Sequence, residues 1–404
     1  MLKSNFSQLL EHRSFVKFWL ARLFGTTGNQ MLMVALAWHM YDLTSSPWDL
    51  GLVGLFQFLP AFLMALPAGH IVDRFHRGRI YSACMLVQGL VALVLVLGTQ
   101  GNFVTRDLVL FLSVMLGIAR SFQMPVQQSL TPLLVPKPLL QSAIALSSSG
   151  IQIAIIAGPA IGGMIYSLGV VQVYITSAAL LLLSCLLTLA MKYKQIHHAP
   201  TGMSMESVLA GVSFLLKSKV LLGAISLDLF AVLLGGATAL LPIYARDILH
   251  VGPAGLGILR GAPALGALLM SLILLRWPLK SNVGYKLLIA VAVYGFATMI
   301  FGMSHDFLLS MIALAVTGAA DNISVVIRLT IMQLETPDEI RGRVSAVNSI
   351  FIGASNQLGE FESGATAALL GPIGSVVLGG VGTIIVALSW LRLFPGLAKR
   401  NRMI

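Results

Sequence analysis

The chain has 404 residues, of which 57% are hydrophobic and only 10% charged, with a mean hydropathy of +0.89. That composition excludes an ordinary set of soluble domains. The apolar residues come in blocks of roughly 18 to 25, the length an α-helix needs to cross about 30 Å of hydrocarbon, so the net charge of +11 belongs to the loops of a membrane protein and not to a nucleic-acid-binding face.

The hydropathy pattern predicts twelve spans, at 16–41, 50–72, 80–99, 107–127, 139–167, 170–191, 219–245, 254–276, 285–303, 307–330, 344–370 and 374–394. Twenty of the 26 Lys and Arg fall at Lys3, Arg13 and Lys17 around the start of span 1, at the loops after even-numbered spans, or in the tail, and two, Arg106 and Arg246, fall on the opposite side. This asymmetry places both termini in the cytoplasm. The leading segment MLKSNFSQLLEHRSF lacks the short apolar core and cleavage site of a secretory signal and reads as an amphipathic lead-in. In span 1, Arg22, Thr26, Asn29 and Met33 recur at helical spacing along one face, with Gln30 beside them.

The loop after span 2, GHIVDRFHRGRI, packs Asp73, Arg74, His76, Arg77 and Arg79 into seven residues. Anchoring by the positive-inside rule explains the arginines but not Asp73. Gly69, Asp73, Arg74, Arg77 and Arg79 resemble the signature loop of the major facilitator superfamily, with His76 where many members carry Gly and Gly78 where a second basic residue is usual. The resemblance implies an all-α membrane fold of two six-helix bundles that alternate access to a central cavity lined by spans 1, 4, 7 and 10. It also implies that the loop clamps the cytoplasmic side through charge-assisted bonds.

Further along, Cys84 in span 3 and Cys185 in span 6 sit in apolar context and read as small core hydrophobes. Arg120-Ser-Phe-Gln123 in span 4 resembles the superfamily's Arg-x-x-Gln pattern, although Met124 replaces the usual Gly. In span 5, Gly158, Pro159, Gly162 and Gly163 resemble the antiporter motif of exporting members; close helix packing alone explains the same glycines. The chain then becomes polar over 192–218, a cytoplasmic linker whose second half is amphipathic and reads as lying along the membrane face. It divides the chain into bundles 1–191 and 219–404. Three matches support a duplication: GLVGL at Gly51 with GLGIL at Gly255, SAIALSSS at Ser142 with SAVNSIFI at Ser345, and Gly117 to Pro136 with Gly318 to Pro337, at shifts of 204, 203 and 201. Phe18 to Gln30, Ser207 to Leu221 and Arg341 to Gly364 resemble the branch of the superfamily that holds the enterobactin exporter and macrolide-efflux relatives.

An ionisable group in hydrocarbon costs about 2.5 to 3.5 kcal/mol on insertion scales, so each should face a cavity or a partner. Counted along their helices, Arg22, Arg120, Asp228 in span 7 and Asp321 in span 10 fall in one layer. They are expected to form a charge-balanced site, with Asp321 first and Asp228 second as the proton-coupling carboxylate; a permanent ion pair that only holds helices together is the structural alternative. Thr26, Asn29, Gln30, Gln123 and Asn322 are expected to line the cavity. Arg260 in span 8 is expected to pair with Glu360 or Glu362 of span 11 near the outer side, and Arg328 to snorkel to the inner interface.

With no phosphate-binding loop of the Gly-x-x-x-x-Gly-Lys-Ser/Thr type, the expected activity is secondary export of a small amphiphilic or anionic molecule, siderophore-like, on the proton gradient. Multidrug or macrolide efflux is the alternative. A transporter-like sensor or scaffold without flux ranks lower, as does a membrane enzyme, for which no clustered nucleophile and base are visible. The sequence calls for no cofactor and no metal, His197-His198 reading as a solvated loop pair. The expected partners are a small-molecule substrate, protons and membrane lipid, around a monomer in a bacterial inner membrane.

Overall fold

The computed structural model describes residues 2–193, 205–279 and 281–401; the side chains of residues 2–6, 65, 66, 73, 205–208 and 339 are outside the described set. His197-His198 and the middle of the linker thus lie outside the described residues. Helices follow one another along the whole chain: α1 (Leu2–Glu11), α2 (Arg13–Thr44), α3 (Pro47–Arg74), α4 (Arg77–Gln100), α5 (Arg106–Leu134), α6 (Leu140–Tyr166), α7 (Val170–Leu189), α8 (Met205–Lys217), α9 (Lys219–Leu234), the single turn α10 (Leu241–Ile243), α11 (Gly252–Arg276), α12 (Val283–Met303), α13 (Phe307–Glu335), α14 (Asp338–Leu393) and the short α15 (Pro395–Ala398).

Among the described residues, ten helical segments are long and apolar enough to cross a membrane. One of them, Ile340–Leu393, has 54 residues, or about 80 Å at 1.5 Å per residue, far more than one crossing requires. It is interrupted at Gly371, whose φ of 77° and ψ of 163° are not helical and which is followed by Pro372. A Cβ at Gly371 would touch nothing within 4 Å, so the backbone angle, and not crowding, is what calls for glycine there. The predicted break between spans 11 and 12 lies at this point. Helix α2, 32 residues long, is outside the ten; Arg22, Thr26, Asn29 and Gln30 dilute its apolar character.

The chain forms two compact units, one of Met1–Leu43, Leu59–Gly202 and Pro253–Gly257, the other of Thr44–Phe58, Met203–Gly252 and Ile258–Ile404. Backbone proximity explains the two short exchanged stretches. In the first unit, a Cβ on Gly257 would run into the Pro159 carbonyl oxygen of α6. In the second, a Cβ on Gly51 would come within 3.0 Å of the Phe361 carbonyl oxygen of α14. Small residues let helix backbones approach where no hydrophobic force drives them together in lipid.

Within the first unit, α4 and α7 pack side by side, with Ser82 Oγ 3.3 Å from the Cys185 carbonyl oxygen. Ser184 Oγ donates to the Ala21 carbonyl of α2 at 2.7 Å. Such bonds average about 0.6 kcal/mol in membrane proteins, so close packing carries most of the cohesion. Cys84 and Cys185 are buried and unlinked.

The second unit is built around Leu221, Leu227, Val283, Leu287, Ile327 and Trp390, with the Trp390 indole N–H donating to the Gly223 carbonyl at 2.9 Å. The linker helix α8 joins this core through Leu215, 3% exposed, while Leu209 and Leu216 of the same helix are 59% and 62% exposed. One face of α8 is thus bound to protein and the other left open. An ion pair between Glu335 and Arg400 ties the end of α13 to the tail, and Gly284 N–H at the start of α12 donates to the Arg400 carbonyl at 3.1 Å.

Candidate functional site

The two units treat their embedded charges differently. In the first, Arg22 on α2 is half-buried and donates through Nη2 to Gln127 Oε1 at 3.4 Å. Its guanidinium carbon lies 5.6 Å from the centre of the Phe18 ring, within the range of a cation–π contact. Gln127 in turn reaches the Tyr81 hydroxyl at 3.4 Å, and Arg22 Nε is buried without a hydrogen-bond partner. Arg22 is therefore held by neutral groups and has no carboxylate among the described residues. Arg120 on α5 is exposed and likewise unpaired among them. Gln123, one turn on, accepts from Gln88 Nε2 of α4 at 3.1 Å.

Asn29 and Thr26 are half-buried on α2, and Gln30 packs at the position of Gly158, where a Cβ would lie 2.8 Å from its own Cβ. The glycine motif of α6 is a packing surface on both sides. Gly162 faces Met31, whose Cα would lie 2.8 Å from an added Cβ, and a side chain on Gly163 would strike the Pro253 carbonyl oxygen at the start of α11.

In the second unit, Asp228 of α9 and Arg328 of α13 form an ion pair in which both side chains are buried. Arg328 does not snorkel. Helix α13 continues to Glu335, beyond the predicted end of span 10, so Arg328 sits two turns inside the helix and finds a carboxylate more readily than water. Asp321, also on α13, has neither ion pair nor hydrogen bond among the described residues. It lines a cavity of about 130 Å³ together with Gly235, Thr238, Tyr294, Thr298, Thr317 and Asn356. Its neighbour Asn322 is tied to α11, donating to the Ala267 carbonyl at 2.7 Å and to Ser271 Oγ at 2.6 Å. Arg260 on α11 and Glu360 and Glu362 on α14 are all half-buried. Glu360 packs on α3, its Oε2 3.0 Å from where a Cβ of Gly54 would stand.

The loop between α3 and α4 is fastened inside the first unit. Arg77 Nη1 donates to the Ser129 carbonyl at 3.2 Å, in the last turns of α5, where a cation is favoured by the helix dipole. Gly78 N–H donates to the Tyr193 hydroxyl at 2.8 Å, and the same hydroxyl is hydrogen-bonded to His76 Nδ1 at 3.3 Å. Burial pushes the Tyr193 phenol above its usual pKa, so it keeps its proton throughout the physiological range. Arg74 and Arg79 are exposed, the Asp73 side chain is outside the described residues, and Gly69 has open space around it.

Sequence reading misses three features. Gln127 is missed although a signal for it exists, since Arg120, Gln123 and Gln127 share one face of α5 at spacings of three and four. Tyr193 is hidden by its position in a polar linker. The hydroxyl lining of the Asp321 cavity leaves no pattern, since its residues come from five separate stretches.

The profile of a family described as "Transmembrane secretion effector" matches residues 3–399. The enterobactin exporter EntS of Citrobacter koseri is 26% identical over 401 residues, covering 98% of this chain and 95% of the relative. EntS of Escherichia coli O81 is 24% identical over 383 residues, covering 95% and 92%. Among solved structures, an inward-facing bacterial homologue of the iron transporter ferroportin superposes with a TM-score of 0.74 at 13% identity, over 96% of this chain and 99% of that one.

Proposed function

The chain belongs to the transmembrane secretion effector family of the major facilitator superfamily, and we propose that it is a proton-coupled exporter of a small anionic, siderophore-like molecule. It is a multi-pass inner-membrane transporter and not an enzyme. The observation that carries the substrate reading is the pair of arginines, Arg22 and Arg120, left without carboxylates among the described residues. A guanidinium held only by neutral groups is ready to bind an anion, and one charge-assisted hydrogen bond contributes about 1.5 to 3 kcal/mol. The names of the relatives support a catecholate.

Asp321 takes the coupling role in this proposal, because a carboxylate with no partner can gain and lose a proton without breaking an ion pair. Asp228 is the weaker candidate, since deprotonation there is locked by Arg328. The same reading takes Gly371 as the boundary between two crossings and α2 as another, for twelve spans with both termini cytoplasmic, and takes the functional unit as a monomer in lipid. The glycine motif of α6 serves as the sliding surface of an antiporter, the Gly69–Arg79 loop as the cytoplasmic clamp, and Arg260 with Glu360 or Glu362 as an outer ion pair.

Proteoliposomes holding the purified chain are expected to move enterobactin when a pH gradient is imposed, and to stop doing so when the gradient is collapsed. Movement of a macrolide without the catecholate would replace this reading with multidrug efflux. No flux of either would leave a transporter-like sensor or scaffold.

A further inference from the structure

Span 7 is not a continuous helix. Helix α9 stops at Leu234, the chain passes through Gly235 and Gly236, and it resumes as a tight 3-10 turn over Ala237–Leu240. A side chain on Gly236 would strike the Gly359 carbonyl, and one on Gly235 the Tyr294 ring, so the two glycines allow the break where α14 and α12 press in. The carbonyl pole of α9, which carries partial negative charge, ends beside the cavity that Asp321 lines.

Four of the polar side chains lining that cavity have a donor committed to a backbone carbonyl. The Tyr294 hydroxyl donates its hydrogen to the Gly235 carbonyl at 3.1 Å, Thr298 to the Tyr294 carbonyl at 2.9 Å, and Thr317 to the Leu314 carbonyl at 2.7 Å. Asn356 commits its amide nitrogen to the Ile352 carbonyl at 2.9 Å, leaving its Oδ1 unspent. Their oxygen lone pairs, the Thr238 hydroxyl and the Asp321 carboxylate remain, and no Lys, Arg or His lines the space. An anion finds little to bind there; a cation finds a set of hard oxygen ligands.

We infer that this cavity, at the break in span 7, binds a monovalent metal cation, Na⁺, through the Asp321 carboxylate and the oxygens of Thr298, Thr317 and Asn356. One carboxylate matches one positive charge, and no group of three or more His, Cys, Asp or Glu suited to a more highly charged metal occurs among the described residues. A cavity of about 130 Å³ holds a cation with some of its waters, because a single water needs only about 10 to 15 Å³ of such space. The proton and Na⁺ compete for the same carboxylate. Tyr294 on α12 is the one other titratable group in the lining, and α9, α11 and α14 contribute none. The inference rests on the Asp321 site of the proposed exporter, but it concerns binding and does not require flux.

The test is thermal unfolding of the purified full chain in detergent at constant ionic strength, titrating NaCl against choline chloride and KCl at several pH values. Na⁺ is expected to raise the melting temperature saturably, with a half-saturating concentration that increases as pH falls. Asp321→Asn should abolish the Na⁺ response, and Thr317→Ala should raise the half-saturating concentration by about tenfold, the loss typical of disturbing one group of a metal site. Elution of both variants as monodisperse species separates this from misfolding. A wild-type response to pH alone, or a Na⁺ response that survives Asp321→Asn, overturns the inference. The first outcome leaves proton-coupled export untouched, whereas intact Na⁺ binding with no pH-driven flux overturns the export reading alone.

Discussion

Asp228 and Asp321 are carboxylates on membrane helices of the same unit, and their surroundings differ in kind. Asp228 is 4% exposed and matched by a buried arginine; Asp321 has no partner among the described residues and faces a cavity edged by hydroxyls. A buried charge must be neutralised locally or kept near something that can neutralise it. The first solution makes a strut. The second leaves a group whose charge can change during a cycle without dismantling the helix packing around it.

The contrast between the two carboxylates depends most on Arg328. Arg328→Ala should destabilise the protein by about 3 to 5 kcal/mol, because it leaves the Asp228 carboxylate buried and uncompensated; thermal unfolding and membrane yield would register it. If the change is nearly silent, Asp228 is not held as a charge and the contrast with Asp321 disappears. Replacing both partners, Asp228→Leu with Arg328→Met, should restore stability to the wild-type level or above, since removing a buried pair together also removes its desolvation cost. A double variant as unstable as the single one would mean that the pair does more than hold helices.

Asp321→Asn should act in the opposite way, with a stability change below about 1 kcal/mol and loss of pH-driven export in proteoliposomes. Full export by that variant would remove the coupling role from Asp321. The smallest effect is expected at Tyr193→Phe, which deletes the hydroxyl that joins Gly78 and His76 and should cost about 1 kcal/mol, read as a modest fall in melting temperature with transport retained. A large loss of transport there would give the loop after span 2 a part in the cycle that the Asp228 and Asp321 contrast does not include.

Several of these features are legible in the order of the amino acids. The polar face of α2, the unusual loop after span 2 and the break near residues 370 to 374 all follow from local patterns, because helical periodicity and glycine-proline breaks act over a few residues. The family resemblance follows from contiguous motifs. Arg328 is misleading because helix ends are set by the last favourable turn, and α13 runs five residues past the predicted end of span 10, to Glu335. The break in span 7 is hidden because Gly235-Gly236 lies inside an apolar run that is long enough to cross the membrane unaided.

The helical membrane fold and the identity of its few embedded charges can be read from the order of residues, since these depend on hydropathy and on charge counted along one strand of chain. Which of those charges are spent is settled by packing. Asp228 and Arg328 stand a hundred residues apart on different helices, and the oxygens around Asp321 come from helices that meet only once the unit has packed; pairing is a property of distance in space, which helix periodicity does not encode.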